Sequence, residues 1–261
     1  MNQYIWRRML GTMAVFTLSS AAQYTVVDLG TAGGATATPM SINNSGQVAG
    51  SSTLAGDSTL HAFISQLSRA RTGGMVMRDL GSFGGVNSQA RAINGPGFVA
   101  GGMTVGSAVH PILFTGQIID LGSLGGFQGL ARGLNDSGQV VGYSATASGN
   151  VSHAFLYSAG RMIDLGTLGG SNSVANAVNN QGAIVGNSEL TAGSATVTHA
   201  FLVSGGIMSD LGTLGGNNSS AAAINNLNYI VGGAQTATGT AHAFLAKTGK
   251  LWDLGTLGGT E

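Results

Sequence analysis

The chain contains five histidines, His61, His110, His153, His199 and His242, and each is followed within a few strand lengths by an aspartate: Asp79, Asp120, Asp164, Asp210 and Asp253. Imidazole beside carboxylate is the pairing of general acid-base catalysis, and several such groups together are the ligands of a metal. Either chemistry needs each role filled at one place. Here the pair recurs five times along the chain, which is what a scaffold does when it copies one structural unit. If each histidine opens the third strand of its unit, it lies about 10 Å outward from the innermost strand, too far for all to converge on one ion. The expectation is that each histidine hydrogen-bonds the aspartate of a neighbouring Asp-Leu-Gly phrase and locks a loop.

The acids outside the repeat pattern are Asp57, Asp136, Glu189 and Glu261. Glycoside hydrolysis needs two carboxylates about 5 to 10 Å apart, and these four fall in different repeats or loop classes. The phrase DLGTLGG at Asp164 to Gly170 is glycine-rich but carries no lysine and leads into a strand, so it lacks the helix N-terminus of a phosphate loop. No catalytic, cofactor-binding or metal-ligating residue is therefore assigned, and no cofactor is expected. A further repeated side chain, Asn43, Asn94, Asn135, Asn179 and Asn225, stands fifteen residues after each phrase. These asparagines end the innermost strands and could ring one mouth of a central channel, where their amide oxygens would face water or a cation. Local turn formation is the plainer reading, and no bound metal is expected.

These positions rest on a tandem repeat. The phrase of Asp164 recurs in near copies at Asp28, Asp79, Asp120, Asp210 and Asp253, and seven residues after each asparagine comes a glycine: Gly50, Gly101, Gly142, Gly186 and Gly232. In one unit, Gly129 to Asn135, Gln139 to Ser144, His153 to Ser158 and Met162 to Leu165 are runs of strand length. Asn135 to Gly138 suits a type I turn closed by a left-handed residue, and Asn228 replaces glycine there in the last copy, as that conformation allows. Pro96 sits badly in the corresponding turn of the second copy. Tight glycine hairpins at Ser158 to Arg161, Ser204 to Ile207 and Lys247 to Lys250 join the third and fourth strands. The connections Ala145 to Ser152 and Leu190 to Thr198 vary in length and are where binding specificity would sit. In the first copy an insertion around Gln66 to Met77 places Arg69, Arg71 and Arg78 close together, most simply as a solvated loop.

The tripeptide His153-Ala154-Phe155, repeated at His61, His199 and His242, together with the DLGTLGG and GQVVG phrases, resembles the extracellular HAF-repeat family from Tyr24 to Glu261. The second repeat departs, reading His110-Pro111-Ile112, and Pro111 cannot donate to a ladder. The resemblance implies export and a repeat fold, and brings no activity.

Four-stranded meanders at about 40 to 50 residues per copy indicate an all-β fold, a β-propeller of five four-stranded blades, with an open β-solenoid of four-stranded repeats as the alternative. The repeats span residues 28–78, 79–119, 120–163, 164–209 and 210–253, followed by a partial copy, within a single domain of residues 23–261. A five-bladed ring is the simplest closure. Because the Asp-Leu-Gly strand occurs six times and the others five, Leu251 to Gly255 should hold the outer place of the last blade. Tyr24 to Gly30 should then add outside it or pair with another molecule, so self-association through an edge strand is a further expectation.

Residues 1–22 read as a signal peptide: Arg7 and Arg8 precede an apolar run from Met9 to Leu18, and Ser20-Ala21-Ala22 offers small residues for cleavage. That run is too short to cross a bilayer, so a secreted or periplasmic location follows. With no cysteine, packing alone must stabilise the exported chain. Charged residues make up 8% of the sequence, and taking Arg7 and Arg8 from the 10 basic residues leaves 8 against 10 acidic ones, a net charge of −2. That excludes a nucleic-acid binder. Two functions survive: a secreted binding or surface-interaction module for an extracellular protein or glycan, without catalysis, and, as the alternative, a propeller enzyme acting on extracellular glycan.

Overall fold

The computed structural model describes residues 26–56, 59–67, 75–148, 151–192 and 195–259, all strands, turns and coil. The signal peptide, Asp57, Glu261, and Arg69 and Arg71 of the inserted loop lie outside these residues. Five antiparallel meanders follow one another. Blade 1 comprises β1 (Gly33–Ile42), β2 (Val48–Leu54), β3 (Leu60–Leu67) and β4 (Met75–Asp79). Blade 2 comprises β5 (Asn87–Ile93), β6 (Val99–Val105), β7 (Ala108–Phe114) and β8 (Ile118–Asp120). Blade 3 comprises β9 (Gly125–Leu134), β10 (Val140–Thr146), β11 (Ser152–Ser158) and β12 (Arg161–Asp164). Blade 4 comprises β13 (Ser173–Val178), β14 (Ile184–Ala192), β15 (Ala195–Ser204) and β16 (Ile207–Gly212). Blade 5 comprises β17 (Gly215–Ile224), β18 (Ile230–Thr236), β19 (Ala241–Lys247) and β20 (Lys250–Gly255).

The inner strands β1, β5, β9, β13 and β17 succeed one another around one axis, each packing on the blade before it. This is a β-propeller arrangement rather than a solenoid. Sheet pairing runs in order within each blade, and a single parallel bridge, Val109 to Gln128, links blades 2 and 3. The connection expected to be a loop from Leu190 to Thr198 is largely strand instead: β14 and β15 continue pairing through Leu190 with Val197 and Ala192 with Ala195.

Apolar residues are buried between blades. Phe63, Phe155, Phe201 and Phe244 of the repeated tripeptide are fully buried, with Ile112 in that role in blade 2. Each contributes roughly 2 to 3 kcal/mol of hydrophobic stabilisation. Four clusters result, one for each successive pair of blades; the second joins Ala92, Ala100 and Leu113 to Ala131, Val140 and Phe155.

The glycine seven residues after each asparagine has a steric cause. The inner strand carries a β-bulge opposite it, at Ala90 to Ala92 and Ala175 to Ala177 for example. The bulge turns a carbonyl against the second strand. A Cβ on Gly50, Gly101, Gly142, Gly186 or Gly232 would overlap the carbonyl oxygen of Thr38, Gln89, Leu130, Val174 or Ser220. In blades 1, 4 and 5 it would also press on the buried phenylalanine ring.

The turn after the inner strand forms in every blade, with a left-handed fourth residue in each: Gly46, Gly97, Gly138, Gly182 and Asn228 (φ 60°). Pro96 does not prevent it, and the Gly97 N–H still reaches the Asn94 carbonyl at 3.0 Å. Gly95 before the proline has no Cβ to clash with the ring. The hairpins at Ala159-Gly160, Gly205-Gly206 and Thr248-Gly249 place both central residues at positive φ, the type I′ geometry that suits strand twist.

Two expectations about the ends need correction. Leu251 to Gly255 does hold the outer place of blade 5, within β20. However, residues 26–30 form no strand and add to no strand of blade 5 among the described residues, and Val26 is 97% exposed; Tyr24 and Thr25 lie outside the described residues. Nor is the ring closed: the packing between successive blades is not repeated between blade 5 and blade 1 among the described residues.

Gly142→Ala should destabilise the protein by about 1 to 3 kcal/mol or more, since an added methyl must displace a backbone carbonyl. Gly138→Asn, at a turn position where Asn228 serves in blade 5, should cost well under about 1 kcal/mol. Urea midpoints of the two variants give the comparison, and equal midpoints would contradict the steric account.

Candidate functional site

The five repeat asparagines ring one mouth of the channel, together with Asn44, Gly95, Asp136, Asn180 and Asn226, around a cavity of about 300 Å³. Their side chains are committed. In blade 3 the Asn135 Oδ1 accepts the N–H groups of Ser137 at 3.1 Å and Gln139 at 3.0 Å, which builds the turn. Its Nδ2 donates to the Asn179 carbonyl of blade 4 at 2.9 Å. The same step occurs from Asn43 to Asn94 (2.9 Å), Asn94 to Asn135 (3.0 Å) and Asn179 to Asn225 (3.1 Å). Each asparagine thus caps its own turn through its oxygen, and Asn43, Asn94, Asn135 and Asn179 also tie their blades to the next.

A second ladder lies beside it. The Gly95 N–H donates to Asp136 Oδ1 at 2.8 Å, the Asp136 N–H to Asn180 Oδ1 at 3.0 Å and the Asn180 N–H to Asn226 Oδ1 at 2.9 Å. The Gly95 N–H and then the Asn180 amide hold the Asp136 carboxyl below its ordinary value. Both ladders run from blade to blade, and neither continues from blade 5 to blade 1 among the described residues.

Further out, each repeat histidine meets its aspartate within one blade. Nδ1 of His61, His110, His153, His199 and His242 lies 2.8 to 3.0 Å from the carboxylate of Asp79, Asp120, Asp164, Asp210 and Asp253. The same carboxylates accept the N–H of the glycine two residues on, for example Gly166 at 2.8 Å. The pair therefore fixes the crossing from the outer strand of one blade to the inner strand of the next. Both partners keep access to water, with the Asp164 side chain 44% exposed, so each pair is worth less than a buried one. Among the described residues no three His, Asp or Glu side chains gather at one point. Glu189 is occupied by Asn172, whose backbone N–H and Nδ2 donate to it at 3.1 Å.

Crossings are reinforced by a hydroxyl relay that the sequence reading missed. Ser88, Ser173 and Ser219 at the start of inner strands accept the N–H of Ala62, Ala154 and Ala200 in the preceding blade, each at 2.8 Å. They donate back to the carbonyls of Gly81, Gly166 and Gly212. Between blades 2 and 3 the donor residue is Pro111, which has no N–H, and the acceptor position is Gly129. A Cβ on Gly129 would stand 3.0 Å from the proline ring. Loss of the donor and loss of the acceptor go together there, leaving no buried group unpaired.

Three residues before each asparagine, a further ring of side chains faces the channel: Met40, Arg91, Arg132, Asn176 and Ala222, around a cavity of about 410 Å³ that Ser220 also lines. Arg132 donates to Asn176 Oδ1 at 3.0 Å and lies 5.6 Å from the Tyr143 ring centre, while Arg91 donates to Gln89 at 3.1 Å. Among the described residues neither arginine pairs with a carboxylate. Two guanidiniums of adjacent blades thus face one cavity, and guanidinium N–H groups are donors suited to anions. Sequence reasoning passed over them because only two of the five equivalent positions are basic. Arg78, expected in the basic loop, instead sits 5.8 Å from the Phe114 ring centre.

The sequence matches no protein-family model and no curated protein. Among solved structures it is similar to the crystal structure of TolB from Acinetobacter baumannii, with a TM-score of 0.54 and 14% identity over 84% of this chain. The match covers 54% of that chain, so this protein spans about half the length of the structure it resembles. At that identity the likeness is one of fold, and it is a propeller fold.

Asn135→Ala should cost about 1 to 3 kcal/mol, because it strands buried N–H groups and a carbonyl of the next blade. His153→Ala should cost no more than about 1 kcal/mol; the reverse order in urea midpoints would contradict these assignments. Acidity tests the same network. The Gly255 N–H, then the His242 ring, hold the Asp253 carboxyl below its ordinary value, as the Gly95 N–H and the Asn180 amide do for Asp136. Depressed carboxyls give stability that is complete above the unfolded value of about 4 and is lost as pH falls through the folded values. The urea midpoint should therefore drop below about pH 4, and drop less steeply in Asp136→Asn.

Proposed function

We propose that the protein is an exported binding module of the HAF-repeat kind, which takes an anionic group of an extracellular glycan or protein in its channel. The carrying observation is the pair Arg91 and Arg132, which face one cavity without a carboxylate partner among the described residues. A guanidinium left unpaired in a concave site favours a carboxylate or sulfate that presents matching oxygens. Asn176 and Ser220 add polar side chains to the same wall.

The alternative, an enzyme acting on extracellular glycan, would be favoured by two carboxylates facing each other across the channel. The described lining around Arg91 and Arg132 is cationic, Asp136 is the one carboxylate in the described ring at the channel mouth, and the repeat aspartates are engaged by histidines and glycine N–H groups. The signal-peptide pattern of residues 1–22 supports export, as does the resemblance carried by His153-Ala154-Phe155.

An array of uronate-bearing, sulfated and neutral glycans, together with acidic and neutral peptides, tests this reading. Binding should favour the acidic members, weaken with salt, and fall about tenfold or more in Arg91→Ala and Arg132→Ala without loss of stability. Selective binding that survives both substitutions would overturn the assignment of the channel, and turnover of a bound glycan would favour the enzyme.

A further inference from the structure

The gap between blade 5 and blade 1 is bounded by surfaces that are interior everywhere else. Val231 in β18 is 41% exposed, while its counterparts Ala49, Ala100, Val141 and Val185 are all 0% exposed. Ala243 in β19 is exposed where Ala62, Ala154 and Ala200 are fully buried. Across the gap, Ile42 in β1 is 67% exposed against 7% for Ile93 in β5. The two faces thus repeat the chemistry of the four formed interfaces and lack only the facing half.

Both edges of the gap also hold half of a blade crossing. At the C-terminal edge, Asp253 to Gly259 already has the crossing geometry. Gly255 donates to Asp253 at 2.7 Å, Thr256 Oγ1 donates to the Gly259 carbonyl at 2.9 Å, and Gly258 has φ 96°. Thr167 and Thr213 make the same bond at crossings that deliver an inner strand, to Gly170 and Gly216. At the N-terminal edge, Gly30 donates to Asp28 at 2.9 Å, and Gly30 and Gly33 are both left-handed. Asp28 therefore makes the glycine half of the aspartate bridge, with no histidine of the described residues opposite it. Val26 to Gly30 is an outer strand in sequence without a third strand to pair with.

From these edges we infer that the gap is a docking site for one three-stranded repeat unit of this same sequence type. Its inner strand would follow the crossing at Asp253 to Gly259, and its second and third strands would cover β1. Its third strand would pair with Val26 to Gly30, bringing a histidine to Asp28. A closed ring with a shared blade results, one strand of which comes from this chain. The asparagine ladder then continues, with Asn225 donating into the unit and the unit's asparagine donating to Asn43. One bond is forgone, since Ala37 stands where Ser88, Ser173 and Ser219 accept an N–H from the preceding blade. The argument for this occupant is continuity: four interfaces on one plan are already formed, differing mainly where Pro111 and Gly129 replace the serine relay, and the two open faces are the same surfaces.

A fusion tests the proposal. A copy of residues 173–204 placed after Glu261 keeps the repeat spacing, because Thr260 and Glu261 stand where Ser171 and Asn172 stand in blade 4. Hydrogen exchange at Val26 and Val27 should slow at least about tenfold, and the thermal midpoint should rise by roughly 5 °C or more over the unfused protein. The double substitution Ile42→Asp and Val231→Asp should abolish both gains in the fusion while leaving the unfused midpoint nearly unchanged. Unchanged exchange at Val26 and Val27 in the fusion would overturn the proposal. So would sedimentation of the unfused protein as a dimer that protects those amides, because a second copy would then be the occupant.

Discussion

One amide group sets the construction of this molecule. In blades 1 to 4 the repeat asparagine at the end of the inner strand spends its oxygen on its own turn and its nitrogen on the next blade, so local folding and blade docking share a side chain. The Asn94, Asn135 and Asn179 side chains are buried where neighbours are present on both sides, so both ends of the amide must be satisfied. A blade with a misformed turn presents the wrong carbonyl to its predecessor. Turn geometry and inter-blade spacing are therefore fixed together, and the bulge that demands Gly142 opposite Leu130 follows from the same close approach at the axis.

Much of this was legible because the repeat is rigid. The period, strand lengths, left-handed turn residue and histidine-aspartate pairing all depend on near neighbours in sequence, which spacing reveals. The hydrogen bond from Asn135 to Asn179 was not legible, because an asparagine that begins a turn has a sufficient local explanation and the partner is 44 residues away. Ring closure was not legible either: copy number counts blades but does not set the angle between them. Arg91 and Arg132 escaped notice because the repeat pattern draws attention to what is constant, while a binding site on a repetitive frame is made from what varies. The paired change at Pro111 and Gly129 is similar in kind, being an exception that makes sense only once the two residues face each other across a blade boundary.

The aspartates show how a small set of charges can be used structurally. A carboxylate near an imidazole invites a catalytic reading, yet here each also accepts a glycine N–H two residues on and sits at the outer rim of its blade. The pairing is repeated, solvent-accessible and distant from the channel, so it organises chain direction. With five of the ten acids engaged in this way, the described channel lining keeps the two arginines and, at the mouth, Asp136.

Contacts that join only adjacent blades have a consequence for how the molecule comes apart. In a closed ring every blade has two neighbours, and opening any one of them breaks two interfaces. In an open arc the first and last blades have one each. Such an array behaves like a row of coupled units whose ends melt before its middle. Blade 3 lies two interfaces from either end, and it carries Arg132 together with Asp136, the acid that takes part in the second ladder. Of the side chains proposed to meet a ligand, Arg132 therefore sits on the part of the arc that opens last and Arg91 and Asn176 on the blades beside it, while fraying of blade 5 takes away only Ser220.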